Sequence, residues 1–319
     1  MFEQLQIITR YCSIERPYAD AFFKYYKANG LQLIHLVVQS DKEKEEAEEL
    51  SFKHKIGSTI SLFPENISPD TALSMFDRDR LSSDLPITMF ADMDEYIYDK
   101  KKSKNWSKKI YRELKKNNKA VKLLWHMNLN DDLLSSTHPE FGFRGHNGKQ
   151  IALTTEIKNF NPRRTFVGAH NILKKKTKII DSCAIAHAWS RGFTDSLLKV
   201  FFSRMQSFKT SDQTNARELI KAGKIPNRLV ILAFLSCQSR KIKSPDLIKG
   251  CTYDQNLAME MLLNYLEEEL AFQCFENYKL YKNKLDCALK ENNFKYHPYP
   301  GGLKDLRRIG KALIELKLQ

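Results

Sequence analysis

The chain has 319 residues, of which 42% are apolar and 28% charged, and it carries a formal charge of +14. That apolar share is the share of a folded globular protein, and the length suits one large domain or two ordinary ones that need no staples. Six cysteines (Cys12, Cys183, Cys237, Cys251, Cys274, Cys287) are scattered without a C-x-x-C pair. This argues against a zinc site or a dithiol redox motif and for reduced thiols.

The N-terminus, "MFEQLQIITRYC", lacks the basic n-region and long apolar core of a secretory signal. No uncharged apolar run reaches the about 18 residues that a spanning helix needs. The longest, "LVILAFLSC" (229–237), is core-sized. A cytoplasmic protein is expected, with peripheral contact at the inner membrane surface as an option. The positive charge suits nucleic acid, anionic lipid or phosphorylated substrates. Lysine-rich solvated faces explain it equally well.

In chain order, residues 1–99 alternate strands and helices. "LQIIT" (5–9) reads as a strand. "PYADAFFKYYKANG" (17–30) reads as a helix with Pro17 in its first turn and Gly30 at its end. "LIHLVV" (33–38) is a second strand and "DKEKEEAEELSFKH" (41–54) a polar helix. "STISLF" (58–63) is a third strand. "SPDTALSMFDRD" (68–79) is a helix capped by Ser68 with Pro69 following, and "PITMFA" (86–91) is the fourth strand. Such alternation predicts an α/β fold with a mostly parallel sheet. A lysine-rich helix (104–119) and a strand "AVKLLWHMN" (120–128) follow. A long polar loop (129–150) and strands at 150–157 and 165–172 come next. From Gly192 the pattern is helical, including a long stretch at 256–293 and a last helix at 302–318. The predicted boundaries are a catalytic domain at 1–205 and a helical extension at 206–319.

The informative stretch is "ITMFADMDEYIYD" (87–99), where an apolar strand runs into Asp92, Asp94 and Glu95. In parallel α/β sheets, ligands bind beyond the carboxyl ends of the strands. In extended chain, residues i and i+2 share a face, so Asp92 and Asp94 would enter one crevice. Two carboxylates together repel unless a cation intervenes, and Mg²⁺ or Mn²⁺ favours carboxylate and phosphate oxygens. A solvated surface turn is the plainer reading, but the apolar flanks on both sides oppose it.

Three segments resemble glycosyltransferases of the GT-A type, nearest to family 92 and the bacterial family-2-like enzymes. They are "ITRYCSIERPYADAFFKYYKANGLQLIHLVVQSD", "MFADMDEYIY" and "HAWSRGFTDSLLK" (187–199), which together span about residues 5–200. Ala188, Gly192 and Ser196 depart from the family's pattern in the third. The resemblance implies transfer of a sugar from a nucleotide-sugar donor, in the first instance a UDP-sugar, to a glycan or lipid-linked acceptor in surface polysaccharide synthesis. It implies Mn²⁺ or Mg²⁺ held by Asp92, Asp94 and His187, with Asp92 on the ribose or on the metal. Arg191 would hold the diphosphate. Asp195 would be the general base, or else pair with Arg191 one turn away. Lys199 is expected on a solvated face. Thr9, Arg10, Glu15 and Asp41 would line the nucleoside pocket, unless Asp41 merely caps its helix.

Other readings stay open. The same acids suit a metal-dependent phosphotransferase or nuclease, although the sequence has no P-loop and no basic–aromatic platform, so no specific nucleic-acid partner is expected. A non-catalytic nucleotide-sugar-binding module is a third reading. His126, His138, His146 and His170 match no zinc spacing. The lysines at 100–109 and 174–176, and Arg163 and Arg164, suit anionic acceptors or plain solvated faces. The last helix suits a membrane interface or packing on the catalytic domain.

Overall fold

The structure is a computed structural model. It describes residues 5–100, 106–116, 119–126, 143–159, 177–187, 193–202, 218–224, 230, 233, 254–264 and 266–292. The chain divides into two units, one of 1–126, 143–187 and 244–253, the other of 127–142, 188–243 and 254–319.

The first unit opens with β1 (Leu5–Arg10), α1 (Arg16–Ala28), β2 (Leu31–Val38), α2 (Asp41–His54), β3 (Gly57–Leu62), α3 (Pro69–Ser74) and β4 (Ile87–Phe90). Caps set the helix boundaries, those at Pro17, Gly30, Ser68 and Pro69 as expected and that at Ser40 in place of Asp41. Pro17 sits in the first turn of α1, and past its end Gly30 takes φ 91°, a left-handed turn that costs glycine little. Ser40 accepts from the Glu43 amide and Ser68 from the Thr71 amide. β1 is buried along nearly its whole length because it pairs in parallel with β2 on one side and β4 on the other.

β5 (Glu95–Asp99), α4 (Trp106–Lys115), β6 (Ala120–His126), β7 (Phe143–Leu153), α5 (Thr154–Lys158), β8 (Lys178–Ile179) and β9 (Cys183–His187) complete the unit. The nine strands form one sheet in the order β3-β2-β1-β4-β7-β6-β9-β5, with β8 beside β6. Five pairings are parallel and three antiparallel. The mostly parallel α/β class expected from the alternation is therefore present.

One connection bends this sheet. β4 and β5 are four strand spacings apart in the order, roughly 19 Å in a flat sheet. Yet only Ala91 to Asp94 join them, and the Glu95 amide bonds the Asp92 carbonyl at 3.0 Å, which closes a β-turn. The sheet must curl so that β5 returns toward β4, and β6, β7 and β9 are wrapped around the turn. The outer edge of β5 is met by α1: the Tyr26 hydroxyl donates to the Glu95 carbonyl (2.9 Å) and accepts from the Ile97 amide (3.2 Å), and the Tyr25 hydroxyl donates to the Ile97 carbonyl. Phe22, Tyr26, Tyr96 and Trp106 pack as rings beneath it. On the other face Ile8, Val37, Leu73, Phe76, Phe90 and Ile157 form a second apolar cluster.

In the second unit α6 (Phe193–Phe202), α7 (Gln255–Leu263) and α8 (Glu268–Asn292) are described. Phe193 packs its ring on Phe275 and Tyr278. The helical stretch expected over 256–293 holds two helices, α7 ending at Leu263 with Asn264 as its C-cap and α8 starting at Glu268. No helix among the described residues is long and apolar enough to cross a membrane. The predicted strand at 165–172 and helix at 302–318 lie outside the described residues, as do Arg163, Arg164 and Lys174–Lys176.

Candidate functional site

The acidic turn forms the centre of the site, at the carboxyl ends of β1 and β4. Because Met93 and Asp94 occupy a β-turn rather than extended chain, Asp92 and Asp94 do not share one face. They separate into two groups. Asp92 turns toward the cations. Its Oδ1 accepts from Arg10 Nη2 at 2.8 Å and its Oδ2 from Lys149 Nζ at 2.8 Å. Arg10, the last residue of β1, also reaches Asp70 in the first turn of α3 at 2.9 Å. Asp94 turns toward His187, the last residue of β9, with Oδ1 at 3.4 Å from Nε2. Asp94 and His187 are both buried.

Glu95 holds the turn from below. It is fully buried, and its carboxylate accepts from the Asp92 amide (3.0 Å) and from Trp125 Nε1 (2.8 Å). Lys149 Nζ lies 3.3 Å from the same group. The Trp125 ring also packs on His187, centroids 4.5 Å apart, and Glu95 and His187 are directly opposed in the β5–β9 ladder. Trp125 thus braces both sides of the turn.

The electrostatics follow from burial and pairing. Burial pushes the Asp92 carboxyl upward, but the Lys149 ammonium and the Arg10 guanidinium outweigh it and hold the group well below the usual carboxylate range. Burial likewise dominates at Glu95, and there it wins: despite Lys149, the group titrates above its ordinary value, with Asp92 adding repulsion. Burial disfavours the charged form of Lys149, but Asp92 and Glu95 reverse this and raise it. Lys149 is fully buried, a state that lysines occupy only when paired.

The donors bear on a metal unequally. A carboxylate oxygen and an imidazole nitrogen 3.4 Å apart match two neighbouring positions around a divalent cation, whose ligands at about 2.0–2.2 Å lie roughly 3.0–3.4 Å from one another. Mn²⁺ accepts such a mixed set. Asp94 and His187 therefore fit the cation. Asp92 does not in this arrangement, since each of its oxygens already faces a cationic donor. Among the described residues no group of three His, Cys, Asp or Glu side chains is placed to enclose a metal.

The remaining expected residues are placed as follows. Thr9 is buried and donates to the Arg10 carbonyl at 3.1 Å. Glu15 accepts from the Cys12 amide at 3.1 Å and caps the short turn before α1. Asp41 is exposed in the first turn of α2, where Ser40 rather than Asp41 makes the cap. Asp195 lies in the second unit, buried on α6 with Lys199 Nζ at 3.5 Å. Lys199 is itself buried, contrary to the expected solvated face. Arg191, His138 and His170 lie outside the described residues, and only the backbone of His126 and His146 is described. Sequence reasoning did not find Lys149 or Trp125. Lys149 left no clear signal, since it stands between Gly148 and Gln150, ahead of the apolar Ile151–Leu153.

No protein-family model matches the sequence, and no curated protein matches it. Among solved structures, S. aureus TarS 1–349 in complex with UDP aligns over 90% of this chain and 91% of its own, at 11% identity and a TM-score of 0.38. A Bacillus anthracis protein described as a glucose-1-phosphate thymidylyltransferase, in complex with a sucrose, aligns over 59% of this chain and 91% of its own, at 10% identity and a TM-score of 0.39. HddC from Yersinia pseudotuberculosis aligns over 57% and 93%, at 11% identity and a TM-score of 0.33. At these scores the likeness is loose, and the fold class rests on the strand order itself.

Proposed function

We propose that the chain is a metal-dependent glycosyltransferase of GT-A type that uses a nucleotide-sugar donor, a UDP-sugar in the first instance. The observation that carries this reading is the acidic turn at the strand ends, where Asp94 and His187 form one pair and Arg10, Asp92 and Lys149 form another group. A nucleoside diphosphate needs both kinds of partner: a cation for its phosphates and a hydrogen-bonding anion for its ribose. Asp94 and His187 are the side chains assigned to Mn²⁺ or Mg²⁺, and Asp92 is withdrawn from that set. The cation would neutralise the charge that develops on the leaving diphosphate.

The chain's own residues supply the rest. Asp92, fixed by two cations, accepts a hydrogen bond from a neutral hydroxyl such as those of the ribose. Arg10 retains guanidinium N–H groups beyond the two spent on Asp70 and Asp92, and these suit phosphate oxygens. The base that takes the acceptor's proton is assigned to Asp195 on the sequence resemblance alone. A glycan or lipid-linked acceptor, and a place in surface polysaccharide synthesis, belong to the same proposal. Calorimetric titration of UDP with and without Mn²⁺ tests it. Wild type is expected to bind UDP in a Mn²⁺-dependent way and Asp94→Ala to lose that dependence. Equal binding by the variant would remove the site assignment.

A further inference from the structure

We propose that Lys149 is a positioning residue that withholds Asp92 from the divalent cation, so that the acidic turn presents Asp94 alone to the metal. The inference rests on the metal-dependent reading above and assigns a role to a side chain which that reading leaves unexplained.

Three observations converge on it. The first is how Lys149 is delivered. Gly148 pairs with Leu124 in the β6–β7 ladder, and a Cβ at 148 would stand 1.9 Å from the Leu123 carbonyl oxygen. β7 therefore approaches β6 more closely than any residue with a side chain permits, and the next residue is Lys149. The second is the contact set. Nζ lies 2.8 Å from Asp92 Oδ2 and 3.3 Å from Glu95 Oε2, while Arg10 covers Asp92 Oδ1 at 2.8 Å. A dication on either oxygen of Asp92 would stand beside a buried ammonium or a guanidinium, and like charges that close inside a protein repel strongly. The third is the anchor. Glu95 gives Lys149 a second carboxylate, and Trp125 fixes Glu95, so the ammonium stays in place when Asp92 takes up a ligand.

A purely structural ion pair and a withholding pair make opposite predictions. If Lys149 only holds the turn together, its loss weakens metal binding. If it withholds Asp92, its loss releases a further oxygen ligand and tightens metal binding. The experiment is calorimetric titration of Mn²⁺, without nucleotide, into wild type, Lys149→Met, Asp92→Asn and the double variant, with circular dichroism as the folding control. Lys149→Met is expected to bind Mn²⁺ at least tenfold more tightly than wild type. Adding Asp92→Asn should abolish that gain. Asp92→Asn alone should leave Mn²⁺ affinity within twofold while weakening UDP. Unchanged or weaker Mn²⁺ binding by folded Lys149→Met overturns the proposal, as does a tenfold loss in Asp92→Asn alone. Should Lys149→Met not fold, Asp92→Asn alone decides by the same two outcomes. If wild type binds no Mn²⁺ but Lys149→Met does, through Asp92, the withholding stands; if neither binds, it falls. The metal-dependent transferase reading is decided separately, by the UDP titration with and without Mn²⁺.

Discussion

Acidification from pH 7 to pH 4 is expected to cost the first unit about 3 kcal/mol through His35 alone. His35 is fully buried on β2, and burial, with Arg80 nearby, lowers its pKa from the ordinary 6.5 to about 4. Its partners fix the tautomer. Gln6 Nε2 donates to the Ser82 and Leu85 carbonyls at 2.9 and 3.0 Å, and Gln6 Oε1 accepts from the Ser82 amide at 3.0 Å, which sets the orientation of that amide. His35 Nε2, 3.0 Å from Gln6 Oε1, must then carry the hydrogen, and Nδ1 accepts from the Thr59 hydroxyl at 2.7 Å. The network ties β1, β2 and β3 to the segment that leads into β4, and thus holds the two strands that deliver Arg10 and Asp92.

Between pH 4 and 6.5 the unfolded chain binds a proton at this histidine and the folded chain does not. Stability is therefore fully present above about 6.5 and is lost as pH falls toward 4, by about 1.4 kcal/mol per pH unit in mid-window. His35→Gln removes the titration. It should lower stability at pH 7.5 by about 1 kcal/mol for an imperfectly replaced hydrogen bond, and its stability should fall less steeply with acid. Urea unfolding at pH 7.5, 6.5, 5.5 and 4.5, followed by circular dichroism, gives both slopes. Parallel profiles for wild type and variant would refute the reasoning, as would an imidazole NMR titration with its midpoint near 6.5.

Two substitutions probe the walls of the site without touching its ligands. Gly148→Ala drives a Cβ toward the Leu123 carbonyl, and relief requires backbone movement between β6 and β7. A loss of at least about 3 kcal/mol in urea unfolding is expected, together with weaker UDP binding as Lys149 shifts; a loss below about 1 kcal/mol would show that the strands separate freely. Trp125→Phe keeps a ring beside His187 but deletes the 2.8 Å donor to Glu95. Hydrogen bonds to buried charged acceptors contribute about 1.5–3 kcal/mol, so unfolding free energy should fall by that amount. An unchanged value would mean that Glu95 does not depend on Trp125.

The first half of the fold was legible because its signals are local. Pro17, Ser68 and Pro69 announce helix starts within a few residues, and buried parallel strands such as β1 read as apolar runs. The acidic turn was legible as a place, since apolar flanks on both sides carry the three acids into the interior, where carboxylates need partners. Glu95, the third of these acids, finds its partners in the Asp92 amide and Trp125. Short strands were harder to see. "CAIAH" (183–187) becomes β9 only because β5 and β6 flank it, and neither lies near it in sequence.

The sequence leaves Asp92 open between ribose and metal; what escaped it is that Asp92 and Asp94 face different partners, and the reason is geometric. The i, i+2 rule holds for extended chain, but the chain here must pass from β4 to β5 across an intervening width of three strands. It does so in a turn, which rotates the two carboxylates apart and curls the sheet. The curl then supplies the partners: Lys149 from β7, Trp125 from β6 and His187 from β9, the three strands that lie between the turn's two ends in the sheet order. A local motif can mark where chemistry sits. Which acid meets a lysine and which a histidine depends on strand order, and no window of sequence around Asp92 contains that order.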